Sequence, residues 1–505
     1  MVTSGLPVPR AWAPLLGGRN LLRLAGPSYP TIAWGVDPDE EVRVNRLLVL
    51  ALAVVLLSSP SLGQPRHGFF GISGGVSPQG FHYLHELGVG FVIYGLYIGP
   101  EGPPEAKPRD RLRMRGLLEL GMTPVPTFWA PAVSPQASVS VAAIVEYFTA
   151  GPGVEEFGAP VRYWQIGNEE NGGWGTSCPP EEYARRVQII AAGIRRACPD
   201  CTIVMGGLLD GPEMGDWALE PYLSRFLAAG GGEWVNIFNF HYYGLAQPSP
   251  RLPAAQTYRT GEQIVDELRR VLAGFGYRGA PIWCTETSTY SGQVGEIFQS
   301  EGEQAADLVK RFVLLYALGV EKVFWTYVME PRYEGTGVGF FDQAGLVYDG
   351  FGPYDRGAGV KKRAFFAYRE LAARLDGAHL LSRREEAGVS WFRFLGPAGP
   401  FSVLWQDPWL RQGPVWVLPG GEVEVFDIYG APVGRWGETF SPRLASSPFT
   451  SWARWRGFSW PSHPSPPRDD QLAEACCFGK GVYLGGAGVW SLGADPTSRP
   501  RFSVR

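Results

Sequence analysis

The chain has 505 residues, 45% hydrophobic and 19% charged, with a net charge of −4. That length allows one large domain and a smaller one, and the absence of a basic excess argues against nucleic acid as a partner. Six Cys are too few for a disulfide scaffold, and six His without HExxH or paired CxxC spacing argue against a dedicated metal site.

The first clear element is the apolar run Leu47–Leu57, preceded by Arg43 and Arg46 and followed by Ser61-Leu62-Gly63. It is shorter than the roughly 20 residues that span a bilayer. A positive flank, a short apolar stretch and a small-x-small exit read as a secretory signal over residues 42–63, with Gln64 as the mature start. Residues 1–41 show no periodicity. A bacterial gene can start at a valine codon, so translation is expected to begin near Val42 or Val44. The expected product is exported, with no stable membrane insertion after cleavage.

Eight apolar runs then alternate with helical patterns over 64–376. They are Gly68–Ser73, Gly90–Leu96, Thr123–Phe128, Tyr163–Gly167, Thr202–Gly206, Val235–His241, Pro281–Glu286 and Lys322–Tyr327. Continuous apolar character suits parallel strands buried on both faces. Ser177 followed by Pro179-Pro180-Glu181-Glu182 reads as a capped helix start, with Tyr183, Val187, Ile190 and Ile194 on one face. Eight such units predict a (β/α)8 barrel, whose chemistry sits at the C-terminal strand ends. No GxGxxG follows the first strand, which removes the main support for a dinucleotide-binding sheet, and no cofactor is expected. From 377 to 440 short alternating segments, among them Val389–Leu395, Ser402–Trp405, Val415–Leu418 and Glu422–Tyr429, predict a small antiparallel β domain. From 441 to 505 alternation is lost and Arg, Pro, Ser and Trp rise. Two readings stand for this tail: a genuine Pro-rich segment, or a stretch read out of frame.

The fourth run ends in Asn168-Glu169-Glu170-Asn171 and the seventh in Glu286-Thr287. Carboxylates ending strands four and seven of a barrel face one mouth. A pair of this kind suits glycoside cleavage, where one carboxyl protonates the leaving oxygen and the other attacks the anomeric carbon. Cys284 is expected to share a strand face with Glu286, because side chains alternate, and to be inert packing. Cys198 and Cys201 can be a redox pair, but an exported context favours a disulfide or no pairing. Cys178 and Cys198 flank a helix of about 27 Å and should not pair.

With these motifs the chain resembles clan A retaining glycoside hydrolases, closest to the family 39 or family 5 type, over residues 68–376. The resemblance implies Glu169 as acid/base, Glu286 as nucleophile and Asn168 as partner of the sugar 2-hydroxyl. In His241-Tyr242-Tyr243 it implies that Tyr243 supports the nucleophile and His241 lines the sugar site. It implies Trp325 as an aromatic platform under the reactive sugar. Trp129 and Trp174, near predicted strand ends, are further subsite candidates. The implied substrate is an oligo- or polysaccharide. Two departures stand out: Glu170 replaces the usual Pro, which makes it a rival acid/base, and strand two has no Arg.

Overall fold

Side chains alternate between a barrel interior and a helix-facing exterior, and each strand's residues sort by that parity. The computed structural model describes residues 68–74, 80–98, 108–129, 134, 136–173, 177–244, 259–295, 297–386, 389–406, 423–426, 428–429 and 432–436. The expected leader, residues 1–41, the run 415–418 and the tail from 441 lie outside them. The strands are β1 (Phe70–Ser73), β2 (Phe91–Ile98), β3 (Thr123–Phe128), β4 (Tyr163–Ile166), β5 (Thr202–Met205), β6 (Leu208–Leu209), β7 (Phe238–Tyr242) and β8 (Ile282–Thr287). A hairpin of β9 (Gly292–Val294) and β10 (Ile297–Gln299) precedes β11 (Lys322–Trp325).

The main sheet is parallel in the order β5-β4-β3-β2-β1-β11-β8-β7-β6. It closes on itself, because Val204 in β5 bridges Ile237 and the Met205 N–H donates to the Ile237 carbonyl at 2.9 Å. β5 and β6 are one stave broken at Gly206-Gly207, so nine strands make the eight staves expected. Both positions at the break require glycine. A Cβ on Gly206 would stand 2.7 Å from the Gly167 carbonyl carbon, and one on Gly207 would land on the His241 ring.

Helices α1 (Phe81–Leu87), α2 (Pro108–Glu119), α3 (Ala137–Thr149), α4 (Pro152–Phe157), α5 (Pro180–Ala197), α6 (Leu219–Ala228), α7 (Gly261–Gly274), α8 (Glu301–Ala317) and α9 (Arg363–Leu375) surround the staves. α7 and α8 open with complete capping boxes, Thr260 with Gln263 and Ser300 with Glu303. α5 buries Tyr183, Val187, Ile190 and Ile194 as the spacing predicts. Its cap is Pro179 rather than Ser177, whose hydroxyl donates to the Glu169 carbonyl at 3.4 Å.

The barrel interior is layered. Its floor is Ile93, Val125, Val204, Ile237, Trp283 and Phe324, with Phe91 and Tyr163 against them. Gly71 is required here, since a Cβ would enter the Phe324 ring. Above the floor sits a polar layer, in which the Asn239 amide donates to Gln165 at 3.3 Å and to Thr285 at 2.6 Å. The opposite parity faces the helices: Trp164, Cys284 and Trp325 all belong to the outer core.

After α9 the chain forms β12 (His379–Glu386), β13 (Val389–Gly396) and β14 (Gly399–Gln406), an antiparallel sheet, then the pair β15 (Val423–Phe426) and β16 (Pro432–Trp436). Buried Phe394 meets Tyr316 of α8 at 5.7 Å. β12 is highly charged, and its Arg383 pairs with Glu262 of α7 and with Glu385. Cys198 and Cys201 form a disulfide, while Cys178 and Cys284 are free and buried.

Lys322 at the barrel bottom lies 3.7 Å over the Phe91 ring and donates to the Gly68 carbonyl at 3.0 Å. Burial lowers its pKa from 10.5 to about 8, against the pull of Glu321 and Asp376. Between those values the unfolded chain binds the proton and the folded chain does not, so this group adds stability as pH rises. Relative to Lys322→Met, wild-type stability should therefore gain between pH 8 and 10.5. Urea unfolding of both proteins across that range measures it, and parallel curves would contradict it.

Candidate active site

The mouth is built from the ends of β4, β7 and β8. Glu169 follows β4 in a left-handed conformation with φ 55°, in a turn bounded by Gly167 and Gly173, both at φ 80°. Such a conformation is strained for a side-chain-bearing residue and persists only where the surroundings hold it. Here the Glu169 N–H donates to the Gly207 carbonyl at 3.0 Å, and the Gly172 N–H donates to the Glu169 carbonyl at 2.7 Å. Asn171 ties the turn to β6: its amide donates to the Leu209 carbonyl at 3.0 Å, and its oxygen accepts from the Leu209 N–H at 2.9 Å.

Glu286 reaches the mouth through a break in strand alternation. Phe240 pairs with Cys284 and His241 with Glu286, so β8 carries one extra residue, Thr285, opposite β7. Bulges of this kind re-aim side chains next to active sites. Cys284 therefore points into the helix layer, and the expectation that it shares a face with Glu286 is corrected. Thr285 turns inward to His241, and Glu286 turns to the mouth beside Tyr243.

One oxygen of each carboxylate and the His241 Nδ1 lie within 4.8 Å of one another. Nδ1 is 2.7 Å from Glu169 Oε1 and 3.6 Å from Glu286 Oε2, while Nε2 is 3.1 Å from the Thr285 hydroxyl. The Tyr243 hydroxyl donates to Glu286 Oε2 at 2.6 Å. Burial pushes Glu286 above the usual carboxylate range. His241 pulls it back, Glu169 adds to the rise, and hydrogen bonds from Tyr243 and Ser73 favour the ionised form. Burial alone would lower the His241 pKa, but the two glutamates outweigh it and raise it.

The expected residues distribute as follows. Glu169, Glu286, His241 and Tyr243 come together. Asn168 is half-buried at the same turn. His241 is 1% exposed, so it does not line the sugar site but stands behind both carboxylates. Trp325 is fully buried in the outer core and its indole N–H donates to the Ala344 carbonyl at 3.0 Å, so it is no platform. Parity is the reason: Phe324 faces the barrel floor, which turns Trp325 outward. Half-buried Tyr327, two residues on, contacts the mouth residue Phe341 at 6.2 Å instead. Trp129 is half-buried after β3, and Trp174 lies outside the described residues. Glu170 is 1% exposed and faces Arg186 at 3.9 Å and the Cys178 thiol at 3.9 Å, away from Glu286.

Sequence reading missed Gln165, Asn239, Thr285, Ser73 and Gly207. A signal was present for three of them, as polar residues inside otherwise apolar strands. A second acidic cluster, Glu330, Asp349 and Asp355, already has a cation in the fully buried Lys362, 2.5 Å from Glu330. Gly207→Ala should displace the His241 ring and uncouple it from Glu169. Lower thermal stability is the expected outcome, and unchanged melting would show that the ring has other room.

No family model and no curated protein matches the chain. Solved structures do. A family 39 glycoside hydrolase from the gut symbiont Bacteroides cellulosilyticus WH2 is similar at 15% identity over 73% of this chain and 77% of that one, with a TM-score of 0.53. A glucosidase from Croceicoccus marinus matches at 14% identity over 66% and 77%, with a TM-score of 0.49. A family 51 alpha-L-arabinofuranosidase from Bifidobacterium longum matches at 15% identity over 66% and 82%, with a TM-score of 0.46. The architecture described above, a (β/α)8 barrel with a small β domain, is the fold of family 39 glycoside hydrolases.

Proposed function

We propose that this chain is an exported retaining glycoside hydrolase acting on an oligo- or polysaccharide. The observation that carries the reading is the spacing of Glu169 and Glu286, whose carboxylate oxygens approach within 4.8 Å across the mouth. Retaining enzymes hold their two carboxyls about 5–5.5 Å apart, and inverting ones about 6.5–9.5 Å, to admit a water. Export is supported by the Leu47–Leu57 run and by the Cys198–Cys201 disulfide, a bond typical of oxidising compartments.

In the first step the Glu286 carboxylate attacks the anomeric carbon and Glu169 gives its proton to the glycosidic oxygen. The aglycone leaves as an alcohol and the sugar stays esterified to Glu286. In the second step ionised Glu169 takes a proton from water. That water attacks the anomeric carbon and Glu286 departs as carboxylate. The His241 imidazole faces both groups, and their charges raise its pKa. Tyr243 orients the nucleophilic oxygen, and Asn168 is available to the sugar 2-hydroxyl.

Glu286→Ala should abolish turnover on every glycoside, with azide rescue yielding a product of inverted configuration. Glu169→Ala should still cleave substrates with activated leaving groups, and azide should then give a retained product. Acid/base behaviour in Glu170→Ala, with Glu169→Ala near wild type, would reverse the assignment. Inactivity of wild type on a broad panel, with sugar still bound, would favour a non-catalytic carbohydrate-binding barrel.

The pH dependence has a definite sign. Glu286 attacks only when ionised, so activity falls as pH drops through its raised pKa, and the acid limb of kcat/KM should lie above the ordinary 4.5. Tyr243→Phe removes a donor to the ionised form. It should move that limb to higher pH by about one unit. A limb that stays in place would show that the phenol does not hold the charge on Glu286.

A further inference from the structure

The segment between β11 and α9 crosses the mouth, and it is braced rather than loose. The Asp342 carboxylate accepts from the backbone N–H groups of Glu334 at 2.7 Å, Gly335 at 3.3 Å, Thr336 at 2.8 Å and Gly337 at 2.8 Å, and from the Thr336 hydroxyl at 3.1 Å. Next to it, Gln343 is locked to β9: it accepts from the Gln293 N–H at 3.0 Å and donates to the Gln293 carbonyl at 2.9 Å.

This braced loop presents Tyr333, which is 70% exposed. A continuous line of contacts joins it to the nucleophile. Tyr333 meets Phe341 edge-on at 5.4 Å, Phe341 meets Tyr243 at 5.4 Å, and Tyr243 bonds Glu286 at 2.6 Å. An edge-on contact with Phe341 leaves a ring face open to solvent.

We propose that Tyr333 is a stacking platform for a sugar ring beyond the one undergoing reaction. The inference rests on the glycosidase reading and specifies its substrate class as saccharides of at least two units. A sugar ring has an apolar face of C–H groups that packs on an aromatic face, with the polar edge left to water. Tyr supplies contact area at low entropic cost, and a loop fixed in advance lowers that cost again.

The experiment compares full-length wild type, Tyr333→Ala and Tyr333→Phe on two kinds of probe. One is the set of 4-nitrophenyl monoglycosides of glucose, xylose and arabinose. The other is the cello-, xylo- and arabino-oligosaccharides from disaccharide to hexasaccharide. In Tyr333→Ala the ratio of oligosaccharide KM to monoglycoside KM should rise by about 3–10-fold, and Tyr333→Phe should keep the wild-type ratio. A ratio unchanged in Tyr333→Ala overturns the proposal, because a general effect on the mouth would move both probes together. Should wild type cleave no probe, the glycosidase reading fails by itself. The platform is then decided by calorimetric titration of the same oligosaccharides: weaker binding to Tyr333→Ala sustains it, and equal or absent binding overturns it.

Discussion

One buried imidazole shared by two carboxylates is the interaction on which the mouth depends. Negative charges this close repel, and burial makes that repulsion expensive. His241 offsets it from behind, at 2.7 Å from Glu169 and 3.6 Å from Glu286. The ring can stand there only because position 207 has no side chain. It faces the right way because the Thr285 hydroxyl fixes its far nitrogen. A glycine on stave five and a hydroxyl on stave seven thus cooperate to place one group on stave six.

The interior below that ring changes polarity in the direction the chemistry needs. Aromatic and branched side chains pack the floor. The Gln165, Asn239 and Thr285 layer then converts a hydrocarbon plug into a surface that can hold charged groups. Each of its members is paired, which keeps buried polar atoms from costing stability. The strain of Glu169 at φ 55° is maintained by the same logic: its N–H, its carbonyl and the neighbouring Asn171 are all bonded to surrounding chain.

Much of the barrel was legible because a strand buried on both faces has to be apolar along its length. Thr123–Phe128 is bounded as read, and the other seven runs shift by a few residues at most. β6 was not legible because two residues make no pattern. β12 was not legible because its His-Leu-Leu-Ser-Arg-Arg-Glu-Glu text is charged, and its pairing with β13 and its Arg383–Glu262 ion pair with α7 come only from the fold. The two catalytic candidates were visible as strand-end glutamates. Their surroundings were less so, because parity decides which residues meet. Trp325 looked like a platform and is core. Ser177 looked like a cap and instead bonds the Glu169 carbonyl. Tyr333 had no signal at all, since a tyrosine in a loop acquires meaning only from what stands beside it.

The extra residue in β8 makes the length of that strand a functional quantity. A chain lacking Thr285 would pair with β7 in a regular ladder, and alternation after outward-facing Cys284 would still aim the glutamate inward. It would lose the hydroxyl that bonds the Asn239 amide and the far nitrogen of His241. The extra residue thus lets one strand turn two neighbouring side chains inward, one to hold the imidazole and one to face the mouth. A strand of strict alternation has room for only one of those two roles.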